Sequence, residues 1–432
     1  MPKFCTKSLF FLLLAISQGW AFAQTPKSVG LSLDELIVEA LQSYPSVLSK
    51  RATQDGAKTD LTAAKLRFLP TPSISTQRNQ VAYDGQPSSN LPATAFTISQ
   101  PIFMGGGLVA GFNKADARLN VADYALLETR EDISRRLINT YAEWVKAYTK
   151  VQALEENLRL HEKFSEMITR RFEAGVSSGS DRDLGTSRLY QARAELDTQL
   201  SLESTALTSI SEMVGYPVSR ADLIKNLAEH VKLPKRSEGF SRALANSVSI
   251  QRTKHEAEVA EEEAKEIRAQ AMPQVSLQAQ RQIGNAYLPG APGYNMVGVV
   301  VQYTPGGGLS SIAASSAAFD RARAATIQVD AIKRDLTDRL NADYNEYEFS
   351  QLKMESLKHS SNLAGDISAS YDRQYLVGKK SWLDLMNAVR ERAQTRQALA
   401  DAQGSLLASS RRLSVYIEGT ARFDVTPDPV KK

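Results

Sequence analysis

From Leu108 to Ala174 the chain contains no proline and a single glycine, Gly111, among residues that favour helix. One uninterrupted helix over that stretch would extend ~100 Å, at 1.5 Å per residue. The same happens again from about Ser311 to Val377, where only Gly365 breaks the pattern. Helices of this length are outliers for a globular domain and point to a coiled coil or a helical tube. Within the first, Leu137, Tyr141, Trp144, Tyr148 and Val151 step by alternating fours and threes, the spacing of a coiled-coil seam. The remaining positions are densely polar, so each helix can meet partners along its flanks and water on its broad faces.

The two helices belong to an internal duplication offset by about 203 residues. "RRLINTYAEWVKAYTKVQAL" aligns with "DRLNADYNEYEFSQLKMESL", "FLPTPSISTQRN" with "AMPQVSLQAQRQ", and "FMGGGL" with "TPGGGL". Each half runs helix, two strands, glycine triplet, very long helix, turn, shorter helix. The first repeat is expected over 24–216, with strands near 70–83 and 94–104, a long helix at 107–174 and a helix at 182–214. A linker at 217–239 follows. The second repeat, 240–419, has strands near 272–284 and 294–305, a long helix at 310–377 and a helix at 381–417. A tail covers 420–432.

The strand segments carry weak alternation; Val297, Val299, Val301 and Tyr303 would share one face. Each pair is joined by a Gly, Pro, Ser and Asn-rich loop, "YDGQPSSNLPA" or "GNAYLPGAPG", expected to be mobile. About ten residues is the length of a tilted strand crossing a membrane. Four such strands cannot close a barrel and an open edge is not tolerated in lipid, whereas three copies would supply twelve. The competing reading is a pair of soluble hairpins capping a coiled coil. The glycine triplets Gly105-Gly106-Gly107 and Gly306-Gly307-Gly308, each close behind a proline (Pro101, Pro305), read as strand-to-helix bends. They lack the Lys-Ser/Thr pair of a phosphate loop.

Residues 1–23 read as a secretory signal peptide: Lys3 and Lys7, an apolar run from Leu9 to Ile16, and a small-x-small site at Ala21-Phe22-Ala23. The run is too short for a spanning anchor. Cys5, the one cysteine, lies in this leader, so the mature chain has no thiol for a disulfide, a metal or a nucleophile. Loss of Lys3 and Lys7 lowers the formal net charge from +4 to +2, too slight to argue for nucleic acid. His161, His230, His255 and His359 have no ligand partner at helical spacing, so no metal or other cofactor is expected. No nucleophile elbow or zincin motif appears, and catalysis is not supported.

At both turns, "RRFEAGVSSGSD" and "RQYLVGKKSWLD", a glycine stands where helices end on a left-handed residue. Ser381 with Asp384, and Ser178 with Asp181 or Ser180 with Asp183, fit helix caps with an acid in the first turn. Capping accounts for Gly175, Gly378, the serines and the aspartates. It does not account for Lys379 and Lys380 beside Trp382.

These turns, the "SQPIFMGGG" segment at 99–107 and the duplicated strand-strand-long helix order together resemble the TolC-type family of outer-membrane channel proteins over nearly all of the mature chain. The resemblance implies a mainly α fold with a small β part. Duplicated coiled-coil hairpins form a trimeric α-barrel in the periplasm, continuous with a twelve-stranded outer-membrane β-barrel to which each chain gives four strands. It also implies an equatorial belt here formed by 217–239 and the tail. At the tips it implies a gate in which Asp384 forms a constricting ring, with Asn387 standing where relatives often carry a second aspartate, and in which Tyr375, Lys380 and Asp181 take part in closing contacts. Gly175, Val176, Ser177, Gly378, Lys379 and an exposed Trp382 are then the expected contacts for a periplasmic adaptor. Further expectations are a homotrimer, outer-membrane lipid, and an inner-membrane ABC transporter or proton-driven pump as the energy source. Export of large proteins by type I secretion is the favoured task, with small-molecule efflux as the alternative and a pore-less periplasmic α-hairpin protein as the rival of another class.

Overall fold

A computed structural model describes residues 31–81, 89–285, 291–304, 309–420 and 423. The leader, the tips of both strand loops, the Pro305 to Gly308 bend and all of the tail after 420 except Phe423 lie outside the described residues.

The first repeat comprises α1 (Leu33–Ser43), α2 (Pro45–Leu66), β1 (Thr71–Val81), β2 (Ser89–Phe103), α3 (Gly107–Glu173) and α4 (Gly179–Val214). A short α5 (Arg220–Ile224) lies in the linker. The second comprises α6 (Arg236–Asn246), α7 (Val248–Gln270), β3 (Gln274–Ile283), β4 (Tyr294–Gln302), α8 (Ser310–Leu376) and α9 (Trp382–Glu418). Helices α3 and α8 each run 67 residues without a break. Neither owes this to an apolar interior. Their flanks pack, and i,i+4 pairs such as Glu166 with Arg170 and Asp335 with Arg339 cover the polar faces.

Helix α3 is flanked by α2 and α7 at the sheet end and by α4 and α9 at the turn end, while α8 meets α7 and then α9. Thus α7 and α9 lie between the two long helices, α2 and α4 form one margin, and beyond α7, α9 and the short α6 at its waist α8 has no other helix packed closely on it among the described residues. Apolar residues remain exposed along α8, including Ile327, Phe349, Leu352, Leu363 and Ile367.

The seam residues Leu137, Tyr141, Trp144, Tyr148 and Val151 are all buried. The first four belong to the main core, which also takes Leu36 and Ile37 of α1, Ile210 of α4 and Val415 of α9. Its counterpart at the waist of α8 joins Ala243 of α6, Leu340, Tyr344, Leu413 and Ile417. Each fully buried large side chain stabilises the waist by roughly 1.5–3 kcal/mol. The linker is strapped to this waist, because Ala228 N–H donates to the Tyr141 hydroxyl at 3.0 Å and Val231 N–H to Ser410 Oγ at 3.2 Å.

The four strands form one antiparallel sheet in the order β1-β2-β3-β4, and the β2–β3 pairing joins the two repeats. Strand β2 begins at Ser89 rather than near 94: part of the polar loop segment is strand, with Pro92 opposite Arg78. Proline is tolerated there because the β2–β3 pairing begins only at Thr94, which leaves Pro92 paired on one side. Pro101 lies within β2 opposite Ser276, and the register shifts between Pro101 and Phe103, so the bend begins as a β-bulge. The register puts Ile74, Phe96, Ile98, Leu277, Val297, Val299 and Val301 on one face and Ser75, Thr97, Ser99, Gln278, Gln280 and Gln282 on the other. Val297 is 76% exposed and Val301 66%, so the apolar face is uncovered among the described residues. At the loop end it gives way to Arg281, which donates to Asn295 Oδ1 at 3.0 Å.

Candidate functional site

The two turns at the far end of the long helices are built alike. In the first, Gly175 N–H donates to the Phe172 carbonyl (2.9 Å) and Val176 N–H to that of Arg171 (2.8 Å). In the second, Gly378 N–H donates to Tyr375 (3.0 Å) and Lys379 N–H to Gln374 (2.9 Å). Both are Schellman closures, and both glycines are left-handed, at φ 73° and 74°. No heavy atom lies within 4 Å of a Cβ built on either glycine, so the dihedral alone requires glycine there.

The next helix in each case starts on a serine. Ser178 caps α4, accepting from Asp181 N–H at 3.1 Å, which settles the choice between Ser178 and Ser180. Ser381 caps α9 in a full capping box: its Oγ accepts from Asp384 N–H at 3.1 Å, and the Asp384 carboxylate accepts from the Ser381 backbone at 3.2 Å and hydroxyl at 2.8 Å. Those hydrogen bonds, followed by the charge of Lys380, hold the Asp384 carboxyl below its ordinary range. It is an ionised, surface-facing charge at the end of the molecule. Asn387, one turn on, is exposed and accepts from Arg390 at 3.3 Å.

One sequence expectation needs correction. Trp382 is not exposed; it is 5% exposed and sits in a cluster with Phe164, Ile168, Tyr375, Leu385, Met386 and Val389. Its ring lies edge-on to Phe164 with centroids 6.4 Å apart and tilted against Tyr375 at 5.5 Å. At the first position of α9 it folds back between the helices, where Gly185 makes room: a Cβ there would meet Ile168 Cγ2 at 2.9 Å and Trp382 Cζ2 at 3.2 Å. Within the chain Lys380 does not reach Asp181. Its ammonium lies 4.4 Å from the Tyr371 ring centroid, a cation–π contact, and it pairs with no carboxylate among the described residues. The Asp181 carboxylate is instead occupied by the Ser178 hydroxyl at 2.9 Å.

Tyr375 is buried under the Arg171 guanidinium, 5.0 Å from its ring. Val176 remains 64% exposed, and Gly175, Gly378 and Lys379 are exposed beside it, with Ser177 half-buried. Arg171 and Gly185 were missed by sequence reasoning. The second could have been found: it interrupts a helical run at a position whose duplicate, Ala388, carries a side chain.

At the sheet end, Gly105 and Gly106 are left-handed at φ 60° and 86°. A Cβ on Gly105 would meet Met272 Cβ at 2.5 Å, so the bend of the first repeat presses on the end of α7 in the second. The matching bend of the second repeat, Pro305 with Gly306, Gly307 and Gly308, lies outside the described residues; α8 begins after Leu309, which is itself left-handed at φ 61°. Among the described residues no cluster of His, Cys, Asp and Glu could hold a metal ion, and no helix is apolar enough to cross a membrane.

Comparisons with known proteins agree with this geometry. The chain is 21% identical over 334 residues to the alkaline protease secretion protein AprF of Pseudomonas aeruginosa, covering 75% of this chain and 69% of that one. It is 23% identical over 181 residues to the outer membrane protein TolC of Vibrio cholerae, covering 42% of this chain and 40% of TolC. The crystal structure of the outer membrane protein VceC from Vibrio cholerae superimposes with a TM-score of 0.76 at 19% identity, over 90% of this chain and 96% of that one, which shows a shared fold. The outer membrane efflux protein family matches residues 36–215 and 239–417, most of both repeats. The chain therefore belongs to the outer membrane efflux protein family, non-enzymatic channels of the outer membrane that reach into the periplasm.

Proposed function

We propose that three copies of this chain form a gated export duct, with the sheets closing as a twelve-stranded barrel in lipid and the long helices as a tube below it. The observation that carries this is the four-stranded sheet: it has an uncovered apolar face, a polar face behind it, and two outer edges, on β1 and β4, with no partner among the described residues. Lipid forbids such edges, and rotation by a third of a turn pairs β4 of one copy with β1 of the next. The same operation sets the bare side of α8 against the α2 and α4 margin of its neighbour.

In that assembly Asp384 repeats around the axis as a ring of negative charge, and Asn387 leaves the next turn uncharged. Lys380, which forms no ion pair among the described residues, would meet Asp181 across a subunit boundary. An adaptor protein that binds the open tips more tightly than the closed ones supplies the energy of opening, and an ABC transporter or proton-driven pump delivers the substrate. The likeness to AprF, a protein named for protease secretion, extends over more of the chain than the likeness to TolC and supports protein export by a type I route.

The test is twofold. Extracted from outer membranes in detergent, the protein should sediment as a trimer and conduct in planar bilayers with a cation preference that Asp384→Ala reduces; Lys380→Ala should raise conductance. A periplasmic monomer without conductance would favour the pore-less reading. In cells, loss of the protein should leave a large exported protein inside; an unchanged secretome with new sensitivity to dyes would favour small-molecule efflux.

A further inference from the structure

Outside the turns and the sheet, one polar cavity of about 270 Å³ lies against α3, between α4 and α9. Three helices contribute to it at helical spacing: Asn157 and His161 from α3; Arg188, Gln191 and Glu195 from α4; Arg390, Gln394 and Gln397 from α9. Asn157 is 7% exposed and His161 5%, yet Asn157 Oδ1 and His161 Nδ1 have no hydrogen-bond partner among the described residues. Buried polar atoms of this kind are seldom left unpaired without a ligand or ordered water.

The electrostatics are uneven along the cavity. Helix α3 runs antiparallel to α4 and α9, so His161 is level with Arg188 and Arg390, and Glu195 lies two turns further from the tip. Arg188 donates to Gln191 at 2.8 Å and Arg390 to Asn387 at 3.3 Å, and neither meets a carboxylate among the described residues. Glu195, which also lines the cavity, accepts from Gln191 at 3.2 Å. Burial, and then the charge of Arg188, push the His161 ring down to about 4, so it is neutral at pH 7 and can present Nδ1–H. Rotation of the Asn157 amide likewise presents a donor.

We propose that this cavity binds a small oxyanion of the phosphate or sulfate class, held by Arg188 and Arg390 and by the ring N–H of His161. Planar guanidinium groups match such oxygens in a bidentate fashion. All of these residues come from one chain, so the site does not depend on the channel reading, and its failure would leave that reading untouched.

The test uses the full-length protein in detergent and phosphate-free buffer. Equilibrium dialysis against inorganic phosphate, and separately sulfate, should show one saturable site per chain. The double variant Arg188→Gln, Arg390→Gln should weaken binding at least about tenfold, while Arg170→Gln at the exposed tip should not. Independently, with isotope-labelled histidine and His161→Gln for assignment, phosphate should raise the His161 titration midpoint, because the bound anion stabilises the imidazolium. That measurement on the unaltered protein stands even if the double variant misfolds. An absence of saturable binding, equal binding by the double variant, or an unmoved His161 midpoint would overturn the proposal and leave water as the occupant.

Discussion

The α3–α4 and α8–α9 turns have the same backbone and different contents. Glycine, serine and aspartate recur at an offset of 203 residues, with the same Schellman closure and the same capping serine. Yet Trp382 occupies the position that Gly179 holds in the first turn, and Phe172 stands where the second has Tyr375. One turn is anchored by an aromatic cluster, and the other ends with Val176 in solvent and Phe172 under Arg182, 4.4 Å from the guanidinium. Duplication copied the local instructions, while packing made the copies unequal: only one position can fill the space between α3 and α9.

The largest test of that inequality is Trp382→Ala, expected to destabilise the tip by about 3–5 kcal/mol through lost burial and a residual cavity. Val176→Ala should change stability by less than about 0.5 kcal/mol. Hydrogen exchange of the tip amides would measure both, and equal effects would abolish the distinction. Next, Gly185→Leu should cost roughly 1–3 kcal/mol by overpacking against Ile168 and Trp382. Combined with Trp382→Ala the cost should shrink, and additive values would show that Gly185 does not serve the tryptophan. The smallest effect is a control for sameness: Gly175→Ala and Gly378→Ala should each cost about 1 kcal/mol, and equally, because both sites are left-handed and sterically open. Unequal costs would mean that the turns differ in backbone as well as in contents.

Much of the fold was legible because it is dictated locally. Absence of proline over some sixty residues, a seam stepping by fours and threes, glycine followed by a capping serine, and period-two alternation each act within one or two turns of chain. The start of β2 was misplaced because its first residues look like loop; long-range pairing with β1 made them strand. At the candidate site, Gly175, Gly378, Ser381 and Asp384 could be read from caps alone. The burial of Trp382 could not, since its partners Phe164 and Gly185 lie some two hundred residues away and nothing local distinguishes an exposed aromatic at a helix start from one folded inward.

The sequence by itself determined the two long hairpins, their turns and the four strands, because helix propensity, capping and alternation are short-range. Tertiary structure decided which helix lies between which, that within one chain Lys380 lies over Tyr371, and that Asn157, His161, Arg188 and Arg390 line one cavity. Those outcomes depend on volume and charge brought together from distant segments, and no short-range preference encodes them.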